Sequence, residues 1–529
     1  MLAADPDPAA VPDTLAGADL SQIQTLVFRG GARDFPWSSF LFVSLPPEVA
    51  AARAWLREVA AELAWHGRPR PTLRVEGGEV VGRVQLALTT RGLRRLGLDR
   101  AVIGRFPFEA KAGMERRARV LGDPVDDPHA GDPLETLEQF EANKPLPTDW
   151  AGTGGVDLRS CDAVLLLFAT SAPDRHALDL AQRDRLRRAG GTTLTSEYSA
   201  EWKEREPFGF ADGLSQPAVR GQPTRATPSP ENEIAAGEIL LGYRNEYHQV
   251  PKSPRFDLDH PTHGGFDVGK DGTFLVFRKL EQDVLAFWRT FAALGQRFAG
   301  QAVGDGYTVP ADPFAATHWL AARAMGRWTN GNSTLTHPHA AGDRLPPTTI
   351  NDFVYGADPH GLACPIGSHV RRANPRDQRG GPTDESWKVV KRHRILRRGR
   401  AYGHLHDADT LIRLLLAGEP VEERPASGLL FVCLQSNITR GFEFVQQIWN
   451  NNPGFHGVYQ EADAIAGPGG CRYSIPARTV RLRLDNPFPD PAEPDEDRRL
   501  GLPRFVVPRG GGYFFVPSRA TVELLTAAA

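Results

Sequence analysis

In Gly209-Phe-Ala-Asp-Gly213 a carboxylate sits between two glycines, which allow a tight backbone with little bulk beside Asp212. Such a loop suits proton transfer by an accessible carboxylate, and it suits equally an ordinary turn closed by an aspartate hydrogen bond. Fifteen histidines add many candidate ligands. The pairs His337-Pro-His339 and His404-Leu-His406 lack the surrounding Cys, Asp and His pattern of a zinc site.

His369 has a different setting, Cys364-Pro-Ile-Gly-Ser-His-Val-Arg-Arg-Ala-Asn-Pro-Arg376. An imidazole can ligate haem iron from one face, and Arg372, about one helical turn further on, can pair with a haem propionate. A basic, solvated helix start accounts for the same residues. The densest basic run, Lys388 to Arg400, suggests nucleic acid, but apolar residues interrupt it. Strand alternation across Arg397 and Arg398 would turn one side chain inward and leave its neighbour solvated. A charge turned inward needs a partner or a function.

These groups must be positioned by an alternation of strand and helix signals that starts at Ile23. Gln24–Phe28, Ser39–Ser44, Gly82–Thr89 and Asp162–Thr170 have strand character, and Ala50–Ala60 has helical periodicity. Helical or polar stretches follow the later strands, at Thr90–Leu98 and Asp174–Ala189. The second half repeats the alternation, with strands expected at Glu238–Tyr243, Gly272–Phe277 and Gly428–Leu434. Its helices are expected at Glu281–Phe298, Thr317–Trp328 and Phe442–Trp449. The fold class is therefore α+β. Turn formers between Gly209 and Glu231 mark the best boundary, dividing the chain into a disordered tail (1–20), an N-terminal domain (21–220) and a C-terminal domain with insertions (221–529).

Composition narrows the function classes. The 529 residues are 41% hydrophobic and 24% charged, with a formal net charge of −2, as in an ordinary globular protein without a field to hold a polyanion. The four cysteines, Cys161, Cys364, Cys433 and Cys471, never form CxxC, which argues against a disulfide scaffold, an iron–sulfur ferredoxin and covalent haem c. The longest apolar runs, such as Ala163–Ala169, fall far short of the ~20 residues that span a bilayer. The first twenty residues carry acids and prolines but no Lys or Arg, so a cytoplasmic protein is expected.

Taken together and in order, Gly209-Phe-Ala-Asp-Gly213, His369-Val-Arg-Arg-Ala-Asn-Pro-Arg376, Arg397-Arg-Gly-Arg-Ala-Tyr-Gly403 and Gly428-Leu-Leu-Phe-Val-Cys-Leu-Gln-Ser436 resemble the dye-decolourising peroxidases. Leu88–Leu98, Gly237–Glu246 and Phe442–Gln446 extend the likeness over roughly Gln24 to Pro517, closest to the larger bacterial and fungal-like branch. The resemblance implies two ferredoxin-like halves with antiparallel sheets, the C-terminal half holding most of a non-covalent haem b (iron protoporphyrin IX). It implies His369 as the iron ligand, Arg372 against a propionate and Asp463 on the second imidazole nitrogen. Asp212 would carry a proton between the oxygens of hydrogen peroxide, while Arg397 favours its ionised form and stabilises developing negative charge. Leu429 and Phe431, on one strand face, would wall the pocket or simply pack the core.

The implied partners are hydrogen peroxide and small organic reductants, such as phenols and anthraquinone-type dyes, with neither nucleic acid nor membrane. Trp387, Tyr402 and Trp449 lie near the motifs as possible electron routes, with packing the plainer role. A haem-handling protein with incidental peroxidase turnover is the alternative function.

Overall fold

The computed structural model describes residues 7–28, 33–124, 147–150, 154–223, 229–304, 307–378, 383–422, 424–457, 461–468, 472–474 and 499–527. Its first half holds strands β1 (Trp37–Ser44), β2 (Gly82–Leu88), β3 (Ala163–Ala169) and β4 (Thr192–Tyr198). Helix α1 (Val49–Ala60) joins the first two strands, and α2 (Ala172–Arg188) joins the last two. The second half holds β5 (Thr273–Gln282), the short pieces β6 (Leu396–Arg397) and β7 (Arg400–Tyr402), then β8 (Ser427–Gln435) and β9 (Val506–Val516). Its helices are α3 (Val284–Phe298), α4 (Pro313–Met325), α5 (His369–Ala373) and a wide-turned helix α6 over Thr439–Glu443 and Val445–Asn450.

In each half the third strand lies between the second and the first, and the fourth flanks the first, with antiparallel pairing throughout. Both halves are thus ferredoxin-like β-α-β-β-α-β units. They fuse edge to edge into one nine-stranded sheet through β9 and β2, at Phe515 opposite Leu88. The doubling suspected from the repeated alternation is therefore present as topology.

Both faces of the sheet are covered, which is why β3 is apolar at every position. Leu165 and Leu167 face the side that α1 and α2 cover with Trp55, Leu56 and Leu178. Leu166 and Phe168 face the side covered by loops carrying Leu26, Ile239 and Leu240. The helix starts are locally encoded: Ser171, Asp283 and Asp312 accept hydrogen bonds from the first-turn amides of α2, α3 and α4. No helix among the described residues is long and apolar enough to cross a membrane.

Three expectations need correction. Residues 7–20 are no free tail: Leu15 is buried, Asp13 pairs with Arg220, and the Pro12 and Asp13 carbonyls accept from Arg244 and Ala236. Gln24–Phe28 is a buried turn with a single bridge, Gln24 to Trp65, rather than a strand. Glu238–Tyr243 is also no strand. It folds back so tightly that a Cβ on Gly237 would lie 2.3 Å from the Tyr243 carbonyl, and Gly242 has φ +83°.

Candidate active site

On the helix side of the second half, α5 and α6 stand away from the sheet and enclose a cavity with about 1560 Å³ of empty space, its open mouth included. Period-two alternation places Arg278, Leu280 and Gln282 of β5 on this face, opposite Phe431, Leu429 and Ser427 of β8. Leu429 and Phe431 both line the cavity, as does Arg397 from β6. His369, Ala373 and Val445 form part of the facing wall, and the loop from Glu206 to Ser215 closes the rim.

His369 opens the short helix α5. Its Nδ1 lies 2.8 Å from Oδ2 of Asp463, whose side chain is fully buried and whose Oδ1 accepts from the amides of Ile465 and Ala466. Burial opposes the imidazolium, but Asp463 outweighs it and raises the pKa of His369. Burial likewise favours the neutral form of Asp463, yet His369 and the two amides hold its carboxyl below the ordinary range. With Nδ1–H donated to Asp463, the neutral imidazole carries its lone pair on Nε2, which has no hydrogen-bond partner among the described residues. The ring is set deep in the protein, yet 30% of the side chain remains accessible from the cavity it lines.

The glycine-bracketed loop carries Asp212 to the same cavity. Gly209 and Gly213 have φ of +100° and +81°, a region that side-chain-bearing residues rarely adopt. Asp212 Oδ1 accepts from the Gly213 amide at 2.6 Å and from Arg397 Nη1 at 3.4 Å, a contact between residues 185 positions apart. Gln216 Oε1 accepts the Arg397 backbone amide and ties the loop to β6. A carboxylate and a guanidinium therefore share a cavity with an imidazole whose second nitrogen is open.

Arg372 behaves differently from its expected role. It is fully buried, but its guanidinium donates to the carbonyls of Trp449, Asn452 and Glu461 and does not line the cavity. The cavity wall instead contains Arg327 and Arg394, which bond to carbonyls and amide oxygens and have no ion pair with a carboxylate among the described residues. Burial pushes Arg327 down to about 10 and Arg394 down to about 9, with neighbouring arginines adding to each shift. Sequence reasoning missed both as site residues. Arg394 lay in the flagged basic run, whereas Arg327 has no distinguishing local pattern.

Much of that basic run is spent inside the protein. Neither Arg397 nor its neighbour is left to solvent: Arg398 donates to the carbonyls of Leu26 and Val27, and His393 lines the cavity. Arg392 stacks over Tyr247. Trp387, Tyr402 and Trp449 are all buried, so none meets a bulky reductant at the surface. Cys471 lies outside the described residues.

Comparison with known proteins yields consistent likenesses. The chain is 28% identical over 488 residues to a multifunctional dye peroxidase, DyP2, of Amycolatopsis sp., covering 90% of this chain and 86% of that protein. It is 30% identical over 347 residues to a dye-decolorizing peroxidase of Mycena epipterygia, an alignment spanning 61% of this chain and 57% of the fungal protein. Among solved structures, an ancestral D-type dye-decolorizing peroxidase aligns with a TM-score of 0.68 at 25% identity, over 96% of this chain and 99% of that one. A dye-decolorizing peroxidase in complex with 2,6-dimethoxyphenol aligns with a TM-score of 0.69 at 24% identity, over 96% and 100%. No family model matches the sequence.

Proposed function

The chain belongs to the dye-decolourising peroxidase family, and from that premise we propose that it is a haem-dependent peroxidase reducing hydrogen peroxide and oxidising organic reductants such as phenols and anthraquinone-type dyes. The observation that carries this reading is the meeting of Asp212, Arg397 and His369 in one cavity.

The residues present fit non-covalent haem b. The cavity is walled largely by apolar side chains such as Leu429, Phe431 and Ile465, and the accessible His369 ring offers Nε2 to a metal. Arg327 and Arg394 supply buried positive charge without carboxylate partners among the described residues, which suits the two propionates. His369 would hold the iron, and Asp463 would fix the ring's tautomer and increase its electron donation. When bound, haem supplies the iron that gives electrons to peroxide and recovers them from the organic reductant.

The chain's own residues handle protons and charge. Asp212 takes a proton from one peroxide oxygen and returns it to the other, so that the second oxygen leaves as water. Arg397 sets a positive charge beside the carboxylate, where negative charge develops as the oxygen–oxygen bond breaks. Leu429 and Phe431 narrow the space beside these groups, admitting peroxide and excluding bulky dyes.

Stopped-flow absorbance of the haem-loaded protein mixed with peroxide tests the assignment. Asp212→Asn and Arg397→Leu should keep haem while peroxide reactivity collapses, and His369→Ala should lose haem. Unchanged reactivity in the two cavity variants would favour haem handling over enzymatic turnover.

A further inference from the structure

Shortly before Asp212, Glu206 reaches the same cavity. Its Oε2 accepts from the Phe208 amide at 3.0 Å and from Gln282 Nε2 at 2.7 Å, and its Oε1 accepts from the Phe210 amide at 2.9 Å. The rings on either side of these amides are anchored elsewhere: Phe208 stacks on Phe287 at 4.3 Å, and the Phe208 carbonyl accepts from Trp288 Nε1. Between those anchors backbone bonds such as Asp212 to the Glu204 carbonyl fix the turn, and the Glu206 side chain takes up the two amides, Phe208 and Phe210, just ahead of Asp212.

We propose that Glu206 is a positioning residue for Asp212, a latch whose carboxylate gathers the Phe208 and Phe210 amides and so holds the loop where it presents Asp212 to the cavity. This rests on the peroxidase reading for its catalytic meaning, though not for its mechanics.

The latch is sensitive to pH in the neutral range. Burial in the cavity wall outweighs the three donors and pushes Glu206 up to about 7, and the charge of Asp212 adds to that shift. The groups facing Glu206 are Asp212 on its own loop, the neutral Gln282 from β5 and His369 from α5. Arg205, its sequence neighbour, is engaged with the carbonyls of Gly209 and Thr329. Ionised Glu206 has acceptor sites for all three donors. The protonated acid keeps lone pairs for the same donors, and because an opened loop returns Glu206 to the ordinary carboxyl range, the closed form holds the proton more tightly and the loop loosens as pH rises through about 7.

Two measurements on the haem-loaded protein test the latch, made between about pH 5.5 and 8.5 to bracket the titration. One is the pH profile of the peroxide reaction. The other is hydrogen-exchange protection of the amides at 206–213, corrected for the intrinsic pH dependence of exchange. In the wild type both should show an inflection near neutrality, with protection lost on the alkaline side. Gln282→Met removes one donor from the carboxylate without touching the loop amides. It should move both inflections upward by about one pH unit, the share of one charge-assisted hydrogen bond.

Glu206→Gln, which cannot ionise, should abolish the inflection, and Glu206→Ala should leave the Phe208 and Phe210 amides unprotected at every pH. If those variants fail to fold, Gln282→Met decides alone. Inflections that stay in place in Gln282→Met, or loop protection indifferent to pH, would overturn the latch. A wild-type protein inert to peroxide would overturn the peroxidase reading instead, and exchange would still decide the latch.

Discussion

Asp463→Asn probes how His369 is kept ready for a metal. The asparagine retains an oxygen for the Ile465 and Ala466 amides, each 2.8 Å from Oδ1 in the native structure, so the local backbone keeps its bonds. Its NH2 then faces His369 Nδ1 across the 2.8 Å contact, and two donors cannot share it. Either the proton moves to Nε2, closing the position that would ligate iron, or the contact opens and strands a buried NH2 at a cost of about 1–3 kcal/mol. On either route haem affinity should fall by about 10–100-fold, equivalent to about 1.4–2.7 kcal/mol. The assay is transfer of haem to an excess of a haem-scavenging apoprotein, followed through the Soret band, beside denaturant unfolding of the apoprotein. Asp463→Ala is the comparison: it orphans both loop amides and should lose stability as well as haem. If Asp463→Asn releases haem at the wild-type rate while His369→Ala does not hold it, the tautomer argument is wrong.

Other consequences are equally measurable. Asp212→Asn should slow the peroxide step by about 10²–10⁴-fold and Arg397→Leu by about 10²–10³-fold, each with the Soret band retained. Arg278 Nη2 donates to both oxygens of Asp123, at 2.6 and 2.7 Å, with both side chains 3% exposed. Arg278→Met should therefore cost about 3–5 kcal/mol in denaturant unfolding, and adding Asp123→Leu should recover most of it. Burial pushes Glu238 up to about 7 from 4.5, despite its pairing with Arg440. Between these values the folded chain keeps a proton that the unfolded chain releases, so stability should fall by up to about 3 kcal/mol as pH rises from ~4.5 to ~7. Glu238→Gln should flatten that part of the profile.

What was legible in the sequence follows the range of the forces involved. Helix α2 is encoded by its cap, α3 and α4 by caps and apolar spacing, and β1, β2 and β3 by short apolar runs of strand length. Gln24–Phe28 and Glu238–Tyr243 carry the same apolar signal, but a buried strand and a buried loop are written alike. The close contact of Gly237 with the Tyr243 carbonyl distinguishes them in space. Asp212, His369 and Arg397 could be singled out because each sits in a local pattern, and the order of those patterns along the chain ties them together. Arg372 has the spacing of a companion to His369, yet its guanidinium goes to carbonyls near residues 449, 452 and 461, which no local pattern foretells.

One long-range feature could have been read, and it explains why the cavity lies in the second half. In the first half the strand positions facing the helices are apolar or bonded straight to the helix: Trp55 and Leu178 close over Leu165 and Leu167 of β3, while Ser39 and Ser196 donate to Asp179 of α2. In β5 the equivalent face runs Phe274, Val276, Arg278, Leu280, Gln282, while the opposite face keeps Leu275 and Phe277 in the core. An arginine and a glutamine on the inward face of a central strand prevent an apolar helix from closing over it, because each would lose its hydrogen bonds there. The same holds for Arg397 on β6, which pairs with Asp212. The doubled topology brings helices to both halves, and where the inward strand face turns polar they stand off and leave room for a cofactor.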